Sequence, residues 1–373
     1  MRILFVIDSL GTGGAEKSTE LLSYYLLEKG WEVAIAVLKS KNQGVENDVI
    51  ERGIPVHTVK GVNFLERRKT LAKLIRTYNP DIVHSSLIHS NVLVRSIRMM
   101  KKFLHTESLV NTPYDDIRMR DKRINKGVAR LVKLVDSLSA VRFVDRFHAI
   151  TQTVKEHYVN HLGIKSEKVA VVYRGRKPID EIHRDEYAAG MTLKVLNIGR
   201  HEFQKGQIHL LHAVHILKQK GVDVHCTILG REGNMSKELK AYVEGNDLYD
   251  RVEFSGYHTN ILPFLASAHL FVFPSLFEGL GGSLIEAQAA GLPVACSDIP
   301  VLHEVANAGF NAIFFERENP GSIADAISFF IENPDKLKEF GKNSLVNFRN
   351  NFVESENHSR LERFFMESIR DFN

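Results

Sequence analysis

Hydrophobic and polar positions alternate along this chain in a regular order. Short apolar runs rich in β-branched residues, typical of buried strands, are separated by stretches with the periodicity of amphipathic helices. The runs lie at 2–8, 32–38, 54–59, 81–86, 107–111, 146–150 and 168–173, and then at 193–198, 223–229, 252–256, 269–274, 293–297 and 312–316. Two sets of strand–helix units predict an α/β protein with two Rossmann-like, doubly wound parallel sheets.

The predicted boundary between the two sets is the polar segment 173–192, which lacks periodicity. We therefore expect a first domain at 1–178 and a second domain at 179–353. A last helix, within 354–373, is expected to cross back onto the first domain. Because ligands of doubly wound sheets bind beyond the carboxyl ends of the strands, a central cleft that both domains face is the expected site.

The net charge of the 373 residues is +4, but the charge is unevenly divided. Residues 1–178 contain 31 Lys and Arg against 18 Asp and Glu, whereas residues 179–373 contain 18 against 27. The basic half indicates an anionic partner, either nucleic acid or the anionic leaflet of a membrane.

No apolar stretch reaches the roughly 18 residues needed to span a bilayer. Cys226 and Cys296 resemble buried thiols of a reducing compartment, so we expect a cytoplasmic protein.

The segment SLGTGGAEKS (9–18) lies at the turn from the first predicted strand to the first helix. It comes within one residue of a P-loop and of a dinucleotide-binding fingerprint, and Glu16 replaces a glycine in both. A carboxylate about 4 Å from a phosphate charge costs roughly 4 kcal/mol at an effective dielectric of 20. Glu16 therefore argues against a polyphosphate wrapped around the loop. Helix-terminal amides that face an anion from one side and a plain tight turn are both compatible with the segment.

The stretch LFVFPSLFEGLGGSLIEAQAAGLPVACSD (270–298) carries the candidate chemistry. A predicted strand ends before Glu278, glycines follow, and a helix is expected to start near Ser283 with Glu286 in its first turn. Helical side chains lean toward the N-terminus, so both carboxylates are expected at one loop with bare amides. Such a site suits a sugar joined to a phosphate. The alternative is a capping box, in which Glu286 binds the amide of Ser283.

Three motifs in order resemble the retaining glycosyltransferases of family 4. EGLGGSLIE matches the E-x7-E motif of that family, NIGRHEFQKG (197–206) resembles its G-R-x-x-x-x-K-G motif, and GTGGAEK resembles its G-G-A-E loop. The resemblance spans nearly the whole chain and implies the GT-B fold. It also implies a nucleoside-diphosphate-sugar donor held mainly by the second domain, retention of the anomeric configuration, and no cofactor or metal; the sequence has no metal-ligand spacing of its own.

The resemblance also implies roles for individual residues. Arg200 and Lys205 would hold the diphosphate and Glu278 the transferred sugar, as catalytic residues, while Glu286 would hold the ribose. A diphosphate would approach the first glycine loop from one side, with Glu16 directed away. The donor-binding set that the resemblance implies comprises Gly13, Gly14, Gly199, Gly230, Leu280, Gly281, Gly282 and Glu286.

The chain departs from the family at two places in the first domain. Many relatives carry a His near the transferred sugar where this chain has NTPYDD, so Tyr114, Asp115 or Asp116 is a candidate for the sugar or acceptor side. A plain turn is the alternative. Arg174 stands where relatives usually have Asn, before a retained Gly175, and is either structural or a further cation in the cleft.

Two basic segments bear on the acceptor. Residues 94–104 and 117–133 interleave cations with apolar residues, which suits either the surface of an anionic bilayer or a helix packed on the sheet with a solvated basic face. We favour peripheral docking on the inner face of the membrane and no nucleic-acid partner, since no aromatic–basic motif is present. The predicted activity is sugar transfer to a glycan or lipid-linked glycan of a surface polysaccharide or glycolipid; the alternative is a sugar-nucleotide epimerase.

Overall fold

The computed structural model describes residues 1–40, 44–121, 123–180, 182, 187–188 and 190–372. The chain divides into two compact units, each with its own parallel sheet. The first unit comprises Met1–Tyr114, Lys122–Arg174 and Ser355–Asn373, and the second comprises Asp115–Asp121 and Gly175–Glu354. The short segment 115–121, which the expected boundaries put in the first domain, therefore packs with the second unit.

The first sheet has seven parallel strands in the order β3-β2-β1-β4-β5-β6-β7. The strands are β1 (Arg2–Ile7), β2 (Glu32–Val37), β3 (Val56–Thr58), β4 (Ile82–Ser86), β5 (His105–Leu109), β6 (Arg146–Ala149) and β7 (Val169–Val171). The second sheet has six parallel strands in the order β10-β9-β8-β11-β12-β13. These are β8 (Leu193–Ile198), β9 (Val224–Leu229), β10 (Val252–Gly256), β11 (Leu270–Phe273), β12 (Val294–Ser297) and β13 (Ala312–Phe315). The predicted pair of parallel sheets is confirmed.

Helices connect the strands in both units. They are α1 (Gly14–Glu28), α2 (Glu46–Glu51), α3 (Phe64–Tyr78), α4 (Ile88–Arg98), α5 (Lys126–Phe143), α6 (Gln152–Leu162), α7 (Gln207–Gln219), α8 (Ser236–Gly245), α9 (Leu262–Ser267), α10 (Gly282–Ala289), α11 (Pro300–His303), α12 (Pro320–Glu332), α13 (Pro334–Asn351) and α14 (Glu354–Phe372). In the part of the chain that the structure describes, no helix is both long and apolar enough to cross a bilayer.

Both faces of the first sheet are covered, which is why its strands read as continuous apolar runs. Ile3, Phe5 and Ile7 of β1 pack with side chains of α1 and of α14, whereas Leu4 and Val6 pack with α3 and α4. From α14, Phe365 contacts Phe5 and lies edge-on to His84. The last helix thus completes the core of the first unit.

Strand β5 begins two residues before its predicted start. His105 and Thr106 read as a polar loop before the predicted strand, yet both are fully buried, as is Glu107. His105 bonds Ser85 and the carbonyl of Phe143, and Glu107 forms an ion pair with Arg95, so each polar group has a partner inside the unit. A polar strand is stable in the interior because neighbouring elements supply partners for these groups. The local sequence pattern does not reveal those partners.

The basic segment 94–104 packs on the sheet, which was one of its two expected settings. Val94 and Ile97 are core residues, and Arg95 is 1% exposed. The Arg95 guanidinium donates two hydrogen bonds, of 2.5 and 2.6 Å, to the Glu107 carboxylate and also binds Asp136 of α5. Burial raises the pKa of Glu107, although Arg95 opposes the shift. Removing one partner of such a buried set typically costs 3–5 kcal/mol, so this arginine is structural.

Buried histidines make the first unit sensitive to acid. Burial lowers the pKa of His148 to about 4 and the pKa of His105 to about 3, from the usual 6.5. His148 bonds Ser108 and the carbonyl of Val172 as a neutral ring.

We expect the free energy of unfolding of the first unit to fall as the pH drops below 6.5. Below that pH the unfolded chain binds protons that the buried rings do not bind until the pH reaches 3 to 4. His148 alone therefore lowers the free energy of unfolding by about 2 kcal/mol at pH 5. The chain has one tryptophan, Trp31, buried in this unit, and its fluorescence reports the transition. His148→Gln should flatten the pH dependence, whereas His57→Gln on the edge strand β3 should not. Parallel slopes for both variants would contradict this account.

Candidate active site

The candidate site of the second unit lies where the strand order reverses. Strands β8 and β11 are neighbours in the sheet although β9 and β10 separate them in sequence. The loops that leave their carboxyl ends therefore lie side by side, which is the usual ligand-binding position in such sheets. Two hydrogen bonds join these loops. The amide of Leu276 donates to the carbonyl of Gln204 at 2.8 Å, and the Gln204 side chain donates to the carbonyl of Phe277.

Lys205 and Glu278 meet across these two loops. Lys205 ends a single helical turn after β8, and its ammonium nitrogen lies 2.5 Å from Oε1 of Glu278. Glu278 is 8% exposed, and Lys205 also lies 5.3 Å from the centroid of the Phe273 ring. A buried carboxylate is tolerable because a cation contacts it directly. Two of the three predicted catalytic residues are thus in contact, 73 positions apart in sequence.

Arg200, the third predicted catalytic residue, follows β8 on the same loop. Its side chain is 65% exposed, and its guanidinium lies 4.0 Å from Glu202, which is at the limit of an ion pair. An exposed guanidinium beside a weakly bound acid retains most of its donors for a ligand.

Glu286 does not form the capping box that its spacing allows. Helix α10 begins at Gly282, and its N-cap residue, Gly281, has a φ of 90° and no side-chain cap. Ser283 therefore lies inside the helix, where its hydroxyl donates to the carbonyl of Ile198 at 3.0 Å. Glu286 instead accepts a 2.7 Å hydrogen bond from Nε of Arg176. The capping alternative is wrong because the N-cap residue is Gly281, two residues before Ser283.

Arg176 is a site residue that the sequence analysis missed. Besides Glu286, its guanidinium donates to the carbonyl of Gly175 at 2.9 Å. A Cβ added to Gly282 would lie 2.1 Å from the Arg176 Nη2 atom, so the guanidinium lies directly against the first residue of α10. The signal for it was the basic segment YRGRKP, in which only Arg174 was singled out. Nothing local indicates that the second arginine, not the first, meets Glu286.

Two glycines, Gly230 and Gly206, permit close approach of the loops around this site. A Cβ on Gly230 would lie 1.9 Å from the carbonyl oxygen of Gly199, and a Cβ on Gly206 would lie 2.1 Å from that of Pro274. Gly230 and Gly206 also have φ values of 155° and 59°, which L-residues with side chains rarely adopt. Leu280 is 5% exposed and lies in the same loop as Gly281. The predicted donor-binding residues after β8, β9 and β11 therefore form one cluster in the second unit.

The first glycine loop belongs to the other unit and is differently arranged. Gly13 is the N-cap of α1, and the Glu16 carboxylate folds back so that its Oε2 atom lies 2.2 Å from where a Gly13 Cβ would be. The expectation that Glu16 is directed away from the loop is therefore wrong. Its carboxylate takes the place at the helix N-terminus that an anion would prefer. Arg174 reaches the same turn, donating to the carbonyl of Gly14 at 3.3 Å.

Tyr114 and Asp115 lie in structural positions. The Tyr114 hydroxyl donates to Asp136 in the buried network of Arg95, and its ring stacks on His157. Burial, with Asp136 beside it, raises the pKa of Tyr114. Asp115 accepts a hydrogen bond from the amide of Ile117 at 3.1 Å, which makes the local turn that was the alternative reading. The Tyr114 side chain is therefore engaged inside the first unit, and the assignment of Asp115 to the sugar or acceptor side stays a prediction.

Residues 115–121 nevertheless lie beside the site loop of the second unit. Ile117 packs with Leu276 and Phe277, and the Arg118 guanidinium lies 5.8 Å from the centroid of the Phe277 ring. Arg120 forms a bidentate ion pair with Glu318, at 2.7 and 3.0 Å. Arg118 and Arg120 were counted among the cations of the basic segment 117–133, but both are engaged here. Among the described residues, no cluster of His, Cys, Asp or Glu is arranged to hold a metal ion.

Two parallel-sheet units, with polar loops at a switch point, define the GT-B class of folds. HepE of Anabaena, solved in complex with UDP-glucose, matches this structure with a TM-score of 0.84 over 98% of this chain and 100% of HepE, at 17% identity. Residues 12–178 match the family described as Glycosyltransferase Family 4, and residues 178–345 match Glycosyl transferases group 1. Together the two models match residues 12–345 and support a GT-B glycosyltransferase of this combined type. Nothing in these matches supports the epimerase alternative.

Curated relatives are glycosyltransferases as well. The chain is 22% identical over 320 residues to CapH, a capsular polysaccharide biosynthesis glycosyltransferase of Staphylococcus aureus; this covers 85% of this chain and 87% of CapH. It is 27% identical over 197 residues to the N-acetylgalactosamine-N,N'-diacetylbacillosaminyl-diphospho-undecaprenol 4-alpha-N-acetylgalactosaminyltransferase of Campylobacter jejuni. That match covers 50% of this chain and 51% of the relative, so it spans about half of each protein.

The contact between Gly230 and Gly199 predicts a sharp difference between two glycine substitutions. We expect Gly230→Ala to lower the free energy of unfolding by at least about 2 kcal/mol, because a methyl group would clash with backbone at a strained φ. Gly245→Ala, in α8 with open space around the added methyl, should be neutral or stabilise by up to about 1 kcal/mol. Differential scanning calorimetry compares the two variants. Equal midpoints would contradict the close approach of the two loops.

Proposed function

We propose that this protein is a retaining, metal-independent glycosyltransferase that uses a nucleoside-diphosphate-sugar donor. The observation that carries the proposal is the set of charges at the β8–β11 switch point, where Lys205 and Glu278 are paired, Arg200 is exposed, and Glu286 lies near the start of α10. Cations and a helix N-terminus favour a diphosphate, and carboxylates favour vicinal hydroxyls.

In the proposed reaction, the bond between the anomeric carbon and the diphosphate oxygen breaks, and an acceptor hydroxyl oxygen forms the new bond on the same face of the sugar. The proton of that hydroxyl passes to the departing diphosphate. Negative charge grows on the departing diphosphate, and Arg200 and Lys205 are the residues proposed to neutralise it. Charge-assisted hydrogen bonds of this kind contribute about 1.5–3 kcal/mol each. Glu278 would hold hydroxyls of the transferred sugar and would keep the Lys205 ammonium in place before the donor arrives.

Glu286 is proposed to hold the donor ribose, with Arg176 as a positioning residue that fixes the carboxylate. The first glycine loop is a weaker candidate for the diphosphate, because the Glu16 carboxylate lies against Gly13 at the start of α1. A diphosphate bound at this loop would lie close to the Glu16 carboxylate, and the two negative groups would repel each other. Gly13, Gly14 and Arg174 are therefore proposed to face a sugar or the acceptor and not the diphosphate.

The proposed acceptor is a lipid-linked glycan of surface polysaccharide synthesis. The names of two relatives support this: one is a capsular polysaccharide glycosyltransferase, and the other is named for a diphospho-undecaprenol-linked substrate. The positive charge of residues 1–178 supports peripheral association with an anionic bilayer, where such an acceptor would lie.

The first test is substitution at the charges of the site. We expect Glu278→Gln and Arg200→Ala each to lower kcat by at least about tenfold, which corresponds to 1.4 kcal/mol of barrier, because each removes a contact to the reacting sugar or the leaving group. Transfer of labelled sugar to isolated membranes measures the rate. Glu244→Gln on α8 and Arg349→Ala on α13 make the same chemical changes at exposed positions and should retain full activity. Normal rates in both site variants would remove the assignment, and product of inverted anomeric configuration in an NMR spectrum would remove retention.

A second test addresses Arg176. We expect Arg176→Met to raise the donor KM by about tenfold with little change in kcat, because Glu286 loses the partner that orients it toward the ribose. Arg176→Lys should recover part of the loss, since a lysine retains the charge but not the guanidinium geometry. A purely structural role predicts a lower melting temperature with an unchanged KM, and that result would refute the assignment.

A further inference from the structure

Helix α5 presents its apolar side to solvent. Its exposed side chains include Leu131, Leu134, Leu138 and Val141, with exposed fractions of 62, 56, 67 and 42%. The spacing i, i+3, i+7, i+10 places these four on one stripe along the helix. Val128, Val132 and Val135 extend the apolar surface beside the stripe. Surface helices of globular proteins normally turn such a stripe inward.

The inward side of α5 is polar, which fixes the helix in this orientation. Asp136 is 2% exposed and binds both Arg95 and Tyr114. The hydroxyl of Ser137 donates to the carbonyl of Leu162 at 3.0 Å, and Ser139 accepts from Arg95 at 3.0 Å. Rotating the helix to bury its leucines would break this set and leave the Nη1 donors of Arg95 and the Tyr114 hydroxyl buried without these partners. The outward apolar stripe is therefore built into the first unit.

The charge pattern of α5 identifies what would cover the stripe. The helix carries Lys126, Arg130, Lys133 and Arg142, and its single acidic residue, Asp136, is buried and paired with Arg95. Arg130 and Arg142 are exposed at the two ends of the leucine stripe. Apolar residues flanked by cations, with no exposed carboxylate, are the features of a helix that lies in the interface of an anionic bilayer.

We propose that α5 is a membrane-docking helix, which inserts Leu131, Leu134, Leu138 and Val141 into the headgroup region of an anionic bilayer while Arg130 and Arg142 bind lipid phosphates. This inference rests on the proposed function for its biological purpose, since it would bring the enzyme to a lipid-linked acceptor. It assigns the docking to one face of α5, whereas Arg95 and Ile97 of the other basic segment, 94–104, are buried.

Co-sedimentation with vesicles of equal parts phosphatidylcholine and phosphatidylglycerol tests the proposal with the full chain. We expect L131Q/L134Q/L138Q to lower the partition coefficient at least about tenfold, because the inserted area is lost. L27Q/I50Q changes exposed apolar residues on α1 and α2, which cover the other sheet face, and should bind as the parent does. Arg130→Gln with Arg142→Gln should weaken binding and reduce its salt dependence, whereas Lys29→Gln with Arg52→Gln should not.

Insertion is measured directly by a tryptophan placed in the stripe. Leu134→Trp should show a blue-shifted emission and quenching by brominated lipid when vesicles are added, whereas Ile50→Trp should show neither. Trp31, the native tryptophan, is 3% exposed and supplies a constant background. An unshifted Leu134→Trp spectrum, or equal binding by the triple variant and its control, would overturn the proposal.

Two further measurements separate this inference from other outcomes. If α5 covers a second copy of the chain instead, sedimentation velocity will show a dimer that the triple leucine variant converts to monomer, and the parent will not bind vesicles; that result overturns the membrane assignment. Thermal stabilisation by a nucleoside diphosphate should be the same in the triple variant and the parent. Loss of transfer in Glu278→Gln with intact vesicle binding supports both proposals, and normal transfer there with intact binding refutes only the role proposed for Glu278.

Discussion

The contact between Lys205 and Glu278 depends on one topological constraint, the adjacency of β8 and β11. A parallel sheet that grows first in one direction and then in the other leaves two loops side by side at its carboxyl edge. Those loops carry the cation and the carboxylate, and Gly206 allows the backbone of one to approach Pro274 of the other. Separating the strands by one position would leave a buried glutamate without its cation. The rest of the site is arranged around this pair.

Each carboxylate of the site is neutralised by a specific cation. Glu278 is paired with Lys205 and Glu286 with Arg176, so the protein keeps two acidic side chains close to a helix N-terminus without an unpaired buried charge. Arg200 stays largely exposed. This distribution contrasts with the first unit, in which Glu16 lies against the glycine loop. The difference between the two loops favours an anionic ligand group at the second sheet and neutral groups at the first.

The buried charges of the first unit have a second consequence, at the surface. Arg95 binds Glu107 on β5 and Asp136 on α5, so the polar side of α5 must face inward. The leucines of that helix then face outward, against the usual preference of surface helices. A buried polar network thus determines where an apolar surface lies, and two exposed cations of the basic first half, Arg130 and Arg142, lie at the ends of that surface.

The sequence by itself determined the two sheets, because apolar runs buried on both faces are recognisable from a few consecutive residues. The short motifs likewise located Arg200, Lys205, Glu278 and Glu286. The start of β5 was misplaced because the partners of His105 and Glu107 are distant in sequence, and Arg176 was missed for the same reason. Only the tertiary structure decided which polar groups are paired: it made Glu286 a partner of Arg176 and not a helix cap, put Tyr114 in a buried network, and turned α5 with its leucines outward. Hydrogen bonds and ion pairs between segments distant in sequence determine these pairings and the orientation of α5, and local periodicity does not predict them.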